Sequence, residues 1–475
     1  MSTMKLSQEP YKGTRDFYPE DMAIQKYIFS VMRRVVEKYG YQEYNASLLE
    51  ETDLYRAKSG EEIVNEQTYS FTDRGGRDVT IRPEMTPTAA RMVARRRKEL
   101  AFPLRWYSIP NMWRYEKPQR GRLREHWQLN VDMFGVENIE AEKEMIMISY
   151  DTMREFGVSE EKFIIKINSR RLMNAFYEYL GLDDAQSYRL SKLIDRKMKM
   201  GEKEFKAQAE EILGNDKRVK FLMKFLGVKR VEDAEKQELR INPASSAGQE
   251  LGMGKEKKVE GKNRNWKLDT PIQRARIGNW EGGDGMKEIK DIMDGLKKSG
   301  IKNVVFDPTL MRGFDYYTGT VFEVFNTNPK NPRSVFGGGR YDDLVGIFGV
   351  EKVPGIGFGM GDVIIRDILE TYKLLPVYRS STDLYICKLS SDYLEFVDEL
   401  AGYLRKEGVN VAVDYTNRKL GAQIKTADRQ KIPFVVCIGE DEVKTGRFKV
   451  KNMKTGKEIL TDREEIVIEI KKLCL

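Results

Sequence analysis

Residues 105–135 read RWYSIPNMWRYEKPQRGRLREHWQLNVDMFG, and this stretch decides the fold. From Leu104 to Glu116 the chain has the aromatic, alternating character of a strand. The pattern breaks at Lys117, Pro118, Gln119, Arg120, Gly121, Arg122, Leu123 and Arg124, a turn-forming hairpin loop. Apolar alternation then resumes at Trp127, Leu129, Val131 and Met133, so two strands hold a loop with four cations. Arg114 and Glu116, two residues apart, are expected on one face of the first strand. A surface ion pair is the plainer reading of them. The five arginines from Arg105 to Arg124 point instead to a polyanion site on a sheet, because the guanidinium fork matches phosphate oxygens.

Composition sets the outer bounds. A chain of 475 residues, 40% hydrophobic and 33% charged, has room for two or three domains with real cores. No run approaches a membrane span of roughly 18 apolar residues. The stretch MSTMKLSQEPYKGTRD lacks the apolar core of a signal peptide, so a cytoplasmic location is expected. Cys387, Cys437 and Cys474 are far apart in sequence and His126 is the single histidine, which offers neither a zinc cluster nor a disulfide framework; a metal would be held by oxygen. The net charge of +8 agrees mildly with a nucleic-acid partner.

Outward from the opening stretch, a helix is expected from Glu20 to Gly40, a hairpin from two strands (Gln67 to Thr72, Asp78 to Arg82) around Asp73–Gly76, and a helix after Pro87 capped by Thr86 or Thr88. A long amphipathic helix covers 140–156, a buried strand 163–167, and charged helices about 183–237. From Asn242 to Pro271 periodicity is lost; its lysines and Arg264 suit either phosphate contact or solubility. After LPVYRSS, strand and helix alternate from Thr382 to Leu475 as a small α/β domain.

The strings RYEKPQRGRLRE and WQLNVDMFG resemble motif 2 of class II aminoacyl-tRNA synthetases in its histidyl-tRNA synthetase form, and the resemblance extends over nearly the whole chain. YQEYNASLLEETDLY resembles motif 1, the dimer-forming element, with Ser47 where a proline is usual. RPEMTPTAARM resembles the family's RPE-x-T element, and MRGFDYYTGTVFEVF its RG-x-DYY segment. FGGGRYDDLVGIFG also looks like the family, and VPGIGFGMGDVIIRDIL resembles motif 3. There Ile364 stands where an adenine-stacking arginine is usual, and Arg366, roughly 200° round the helix, should face away. RKLGAQIKTADRQKIPFVVCIGEDE looks like the anticodon-binding domain.

The resemblance implies an α+β fold: a class II antiparallel-sheet catalytic core with a helical insertion, then a C-terminal α/β anticodon-binding domain. The expected parts are 1–168 (core, motifs 1 and 2), 169–298 (core continuation with the insertion), 299–375 (histidine-specific element and motif 3) and 382–475 (anticodon binding). It further implies a homodimer that joins L-histidine to tRNA(His) in two steps, with ATP and Mg²⁺. Arg114 and Arg312 are implied as catalytic. ATP would be held by Arg114, Glu116, Arg122 and Arg312, and histidine by Glu84, Thr86, Gln128, Asp132, Tyr316 and Tyr317. Gln119, Arg120 and Arg124 are implied as contacts to the tRNA acceptor end, and no protein ligand set for a metal is expected. Many relatives carry Glu where Asp132 stands. For Glu84 a helix-capping role is the plainer reading, and for His126 packing or a tRNA-loop role is preferred to proton transfer. Two other readings stay open: a histidine-sensing regulatory subunit of the ATP phosphoribosyltransferase type, and an RNA-binding or kinase-regulating module that has lost aminoacylation.

Overall fold

The computed structural model describes residues 6–56, 67–197, 200–228, 283–311 and 316–474. Arg312 and the strip from Asn242 to Pro271 lie outside these. The chain divides into two compact units, one of residues 1–17 and 25–375, the other of 18–24 and 376–475.

The larger unit contains strands β1 (Gln42–Glu43), β2 (Leu49–Glu51), β3 (Tyr69–Thr72), β4 (Asp78–Ile81), β5 (Leu104–Ser108), β6 (Asn111–Trp113), β7 (Glu125–Phe134), β8 (Phe163–Ser169), β9 (Val304–Phe306), β10 (Thr320–Asn326), β11 (Ser334–Arg340) and β12 (Gly355–Gly361). Among the described residues, nine of these form one sheet in the order β1-β5-β7-β12-β11-β10-β8-β9, with β6 also on β7. All pairings are antiparallel except β1 with β5 and β8 with β9. The centre is β7, flanked by β5 and β12, with Leu129, Val131, Met133 and Phe134 buried. Helix Thr86–Arg96 contributes Ala89, Ala90 and Val93 to a core shared with Leu104, Phe134, Tyr316, Tyr317 and Tyr341.

The first motif strand comes as two. β5 ends at Ser108 and β6 begins at Asn111, because Pro110 has no N–H for the ladder; its carbonyl instead accepts from the Gln128 N–H at 3.1 Å. The hairpin of β3 and β4 turns through Asp73, whose Oδ1 accepts from the N–H groups of Gly75 and Arg77. Neither threonine caps the helix after it. Thr86 is already the first helical residue, the preceding position is Met85 with no side-chain acceptor, and Thr88 is buried inside the first turn. Pro87 removes one of the N–H groups a cap would satisfy.

Helices Glu140–Glu155, Asp184–Arg196, Glu202–Leu213 and Asp216–Leu226 follow the apolar periodicity of the sequence. The smaller unit has a five-stranded sheet of β13 (Leu384–Lys388), β14 (Val411–Val413), β15 (Phe434–Ile438), β16 (Phe448–Asn452) and β17 (Glu458–Thr461), ordered β14-β13-β15-β16-β17. Both its faces are covered: Leu384 and Ile386 enter one core, Tyr385 and Cys387 the other, which is why β13 is apolar throughout. Register places Cys387 directly opposite Cys437, two cysteines far apart in sequence.

Candidate active site

Strand alternation puts His126, Gln128, Asn130 and Asp132 on one face of β7. Facing Gln128, Asn130 and Asp132 in register on β12 are Gly361, Gly359 and Gly357. A Cβ on Gly357 would stand 2.4 Å from the Val131 carbonyl and 2.5 Å from Asp132 Oδ1, and one on Gly359 would stand 2.2 Å from Gln128 Nε2. The polar side chains of β7 therefore lean over the face of β12 that carries only glycines, Ile356, Phe358 and Met360 lying between them in the strand, and that glycine spacing is what admits them.

At the inner end lies a buried polar pocket. Asp132, 1% exposed, accepts at Oδ1 from the Tyr341 hydroxyl. Among the described residues neither its Oδ2 nor the Tyr44 hydroxyl makes a hydrogen bond of ordinary geometry, yet the two lie close enough for Tyr44 to favour the ionised carboxylate. Burial raises the Asp132 carboxyl from 3.8 to about 7, against the Tyr341 and Tyr44 hydroxyls, with a small push from the charge of Glu84. Glu84, also buried, accepts from the Tyr316 hydroxyl at 3.0 Å. The Tyr316 ring packs 4.9 Å from Tyr317 and edge-on to Tyr341 at 5.8 Å. Buried polar atoms left unpaired cost about 1–3 kcal/mol each, a cost relieved by a ligand bearing N–H donors.

Toward the other end of the same face are the arginines. Arg114 Nε donates to the Pro83 carbonyl at 2.8 Å, tying it to the segment that carries Glu84. Arg114 and Glu116 do not share a strand face: β6 stops at Trp113, and the Glu116 N–H turns back onto the Arg114 carbonyl at 2.7 Å. Glu116 is instead paired across the loop with Arg122, at 2.9 Å. Gln119 and Arg122 exchange both backbone hydrogen bonds, and Gly121, with φ +73°, occupies the turn position that disfavours a side chain. At the tip, Arg120 reaches Asp367 on helix Asp362–Thr371 and Thr371 Oγ1 at 3.1 Å.

Arg124 departs from its expected place on the loop surface. It is 9% exposed, its guanidinium lies 3.9 Å from the Tyr115 ring centre, and it donates to the Tyr11 hydroxyl at 2.9 Å. The cause is local: the Arg124 N–H pairs with the Gly13 carbonyl, which brings the 11–13 segment over the side chain. His126 is held neutral, its pKa lowered to about 3 first by burial and then by the charges of Arg114, Arg15 and Arg122. So weak a base stays neutral near pH 7, with one ring nitrogen a donor and the other an acceptor.

Helix Asp362–Thr371 starts at the end of β12. Asp362 accepts from the Trp127 N–H at 2.9 Å and pairs with Arg15 at 2.7 Å, locking helix to strand. Ile364 is 9% exposed and lies against the loop tip at Gly121; Arg366 pairs with Glu370 along its own helix.

Sequence reasoning missed Tyr341, Arg82 and Arg15. Arg82, 5% exposed, donates to the carbonyls of Asn111 and Ala46, so it splices the Glu84 segment to β6. Tyr341 is aimed by Arg340, whose buried guanidinium pairs with Glu142 and donates to the Val136 carbonyl at 2.9 Å. The available sign was an arginine and tyrosine directly after three glycines, a charged residue where a strand becomes too crowded for side chains.

A family model described as histidyl-tRNA synthetase matches residues 13–255 and 274–361, and one described as an anticodon binding domain matches 383–473. The histidine–tRNA ligase of Leptospira biflexa is 40% identical over 479 aligned positions, covering 99% of each chain. That of Thermoplasma volcanium is 34% identical, covering 98% of each. In fold, the crystal structure of histidyl-tRNA synthetase from Nostoc sp. PCC 7120 superposes with a TM-score of 0.76 at 22% identity, over 98% of this chain and 100% of that one. With its catalytic and anticodon-binding parts both matched in order along one chain, this protein belongs to the histidyl-tRNA synthetase family.

Proposed function

We propose that the chain activates L-histidine with ATP and transfers it to tRNA(His). The observation that carries this is the single face of β7, which leads from the Asp132–Tyr341 and Glu84–Tyr316 pairs to a group of arginines around His126. An imidazole offers N–H donors at one or both nitrogens, which suits the unpaired Asp132 oxygen. Tyr317 takes the other edge of the ring, while Glu84, Thr86 and Gln128 hold the ammonium and carboxylate end.

In the first step a histidine carboxylate oxygen bonds to the α-phosphorus as the bond to the pyrophosphate oxygen breaks. In the second, a hydroxyl of the terminal ribose attacks the acyl carbon and AMP leaves. Both partners of the first step are anions, so positive charge is the main requirement. Arg114 and Arg312 are assigned to the α-phosphate and carboxylate, Arg122 to the outer phosphates and Glu116 to the adenine amino group. For this Arg122, 59% exposed, must exchange Glu116 for phosphate, and the largely buried Glu116 carboxylate then takes the adenine amino group as its new partner. Among the described residues no three His, Cys, Asp or Glu side chains are grouped to hold a metal. Mg²⁺ bound to the nucleotide phosphates would keep much of its water and neutralise charge there.

Gln119 and Arg120 at the loop tip are the proposed contacts to the acceptor end, and the unit from 376 onward is the proposed reader of the anticodon. Exposed Leu48, Leu49 and Phe71 near motif 1 support a homodimer. Among the described residues no helix is long and apolar enough to cross a membrane. The histidine-sensing alternative rests on Ile364 alone and has less support than full-length similarity to ligases.

The test is ATP–pyrophosphate exchange with each of the twenty amino acids, without tRNA. Exchange with histidine alone is the expected result. Histidine binding by calorimetry with no exchange would move the chain to the sensor class.

A further inference from the structure

Helix Asp362–Thr371 turns Ile364, an uncharged residue, toward the loop tip, yet a guanidinium is present there from elsewhere. Ile364 Cδ1 lies 2.9 Å, and Arg333 Nη1 2.7 Å, from the point where a Cβ on Gly121 would stand. The two side chains thus meet over the one loop residue that carries none. Arg333 donates to the Arg120 carbonyl, and its own carbonyl accepts from the Asn326 N–H at 3.0 Å. Arg120 is fixed by Asp367, which also accepts from Asn331 Nδ2 at 2.7 Å, two residues before Arg333. The loop tip, the helix bearing Ile364 and the segment entering β11 are in this way cross-braced, with the Arg333 guanidinium between them. Across Gly361 from Ile364 lies the neutral His126 ring: their nearest carbons stand 3.9 Å and 4.0 Å from a Cβ placed on that glycine.

We propose that Arg333 supplies, from a different segment of the chain, the guanidinium that packs on the adenine of ATP where the helix offers only Ile364. This rests on the site being ATP-dependent, as proposed above. Chemistry favours the assignment. A guanidinium is planar, delocalised and weakly hydrated, so it can lie on an aliphatic side chain, keep one hydrogen bond to a carbonyl and still present a face to a planar base.

The experiment is histidine-dependent ATP–pyrophosphate exchange by the full-length protein with Arg333→Ala, Arg333→Gln and Arg333→Ala/Ile364→Arg. Arg333→Gln keeps a donor for the Arg120 carbonyl but has no charge, so it separates a loop brace from a base contact and serves if the alanine variant does not fold. Both single variants should raise KM for ATP about tenfold while KM for histidine stays within about twofold, and the double variant should recover most of the loss. An Arg333→Gln protein with a wild-type KM for ATP would overturn the assignment while leaving the enzyme reading intact. So would loss in kcat alone that Ile364→Arg does not repair. Absence of histidine-dependent exchange in the wild type would overturn the enzyme reading and this assignment with it.

Discussion

The pocket around Asp132 and the loop from Lys117 to Arg124 are close in sequence and are built on opposite principles. In the pocket Asp132 is placed opposite Gly357 by strand register, Tyr341 stands one residue past the end of β11, and Glu84, outside any strand, is held by the Tyr316 hydroxyl. The loop is held by ion pairs that each join an exposed arginine, Arg122 or Arg120 at 59% and 58%, to a largely buried carboxylate, Glu116 or Asp367 at 10% and 8%. The arginine end of such a pair can turn toward another anion, at the cost of leaving its carboxylate in need of a partner. Under the proposed function, selectivity lies in the pocket and charge neutralisation in the loop, whose exposed arginines can turn toward a phosphate.

Substitutions should separate the two regions. The largest effect is expected from Gly357→Ala, whose Cβ would meet the Val131 carbonyl at 2.4 Å. Backbone on that side cannot retreat, so histidine binding by calorimetry should fall below detection; retained binding would show that the pocket is softer than its register implies. Asp132→Asn should raise KM for histidine about a hundredfold, with KM for ATP nearly unchanged. Arg122→Ala should lower kcat of exchange by roughly ten- to a hundredfold while costing about 1–3 kcal/mol of unfolding free energy, because the arginine is exposed but the Glu116 carboxylate it leaves is largely buried. An unchanged kcat in that variant would break the contrast drawn here.

The smallest effect concerns pH. The Asp132 carboxyl titrates at about 7 in the fold against an ordinary 3.8. Between those values the folded protein holds a proton that the unfolded chain has lost. Stability from this group is thus greatest at low pH, falls as pH rises through that window, and is level above it. Relative to Asp132→Asn, the wild type should lose on the order of 2 kcal/mol between pH 5 and pH 8, measured by urea unfolding. His126 has the opposite slope. Its pKa of about 3 leaves it neutral while the unfolded chain takes up a proton, so stability falls as pH drops below about 6.5. His126→Gln should flatten that limb in the same urea experiment.

Local pattern made much of this legible. Alternation located β7 and the face shared by His126 and Gln128; Gly and Pro marked the loop; the cluster of arginines pointed to a polyanion site, while the roles of Arg114, Glu116 and Arg122 came from the resemblance and the same-face reading of Arg114 and Glu116 failed. These are properties of residues within a few positions of one another, and strand or helix period conveys them directly. What only the tertiary structure decided were relations across the sheet. Glycines at 355–361 became a wall because β12 lies beside β7, Tyr341 became the partner of Asp132 from 209 residues away, and Arg124 was drawn inward by the 11–13 segment. The approach of Arg333 and Ile364 to the same loop glycine, Gly121, likewise came from packing, since Arg333 lies in the segment entering β11. Register and burial act between distant segments, so no window of sequence contains them.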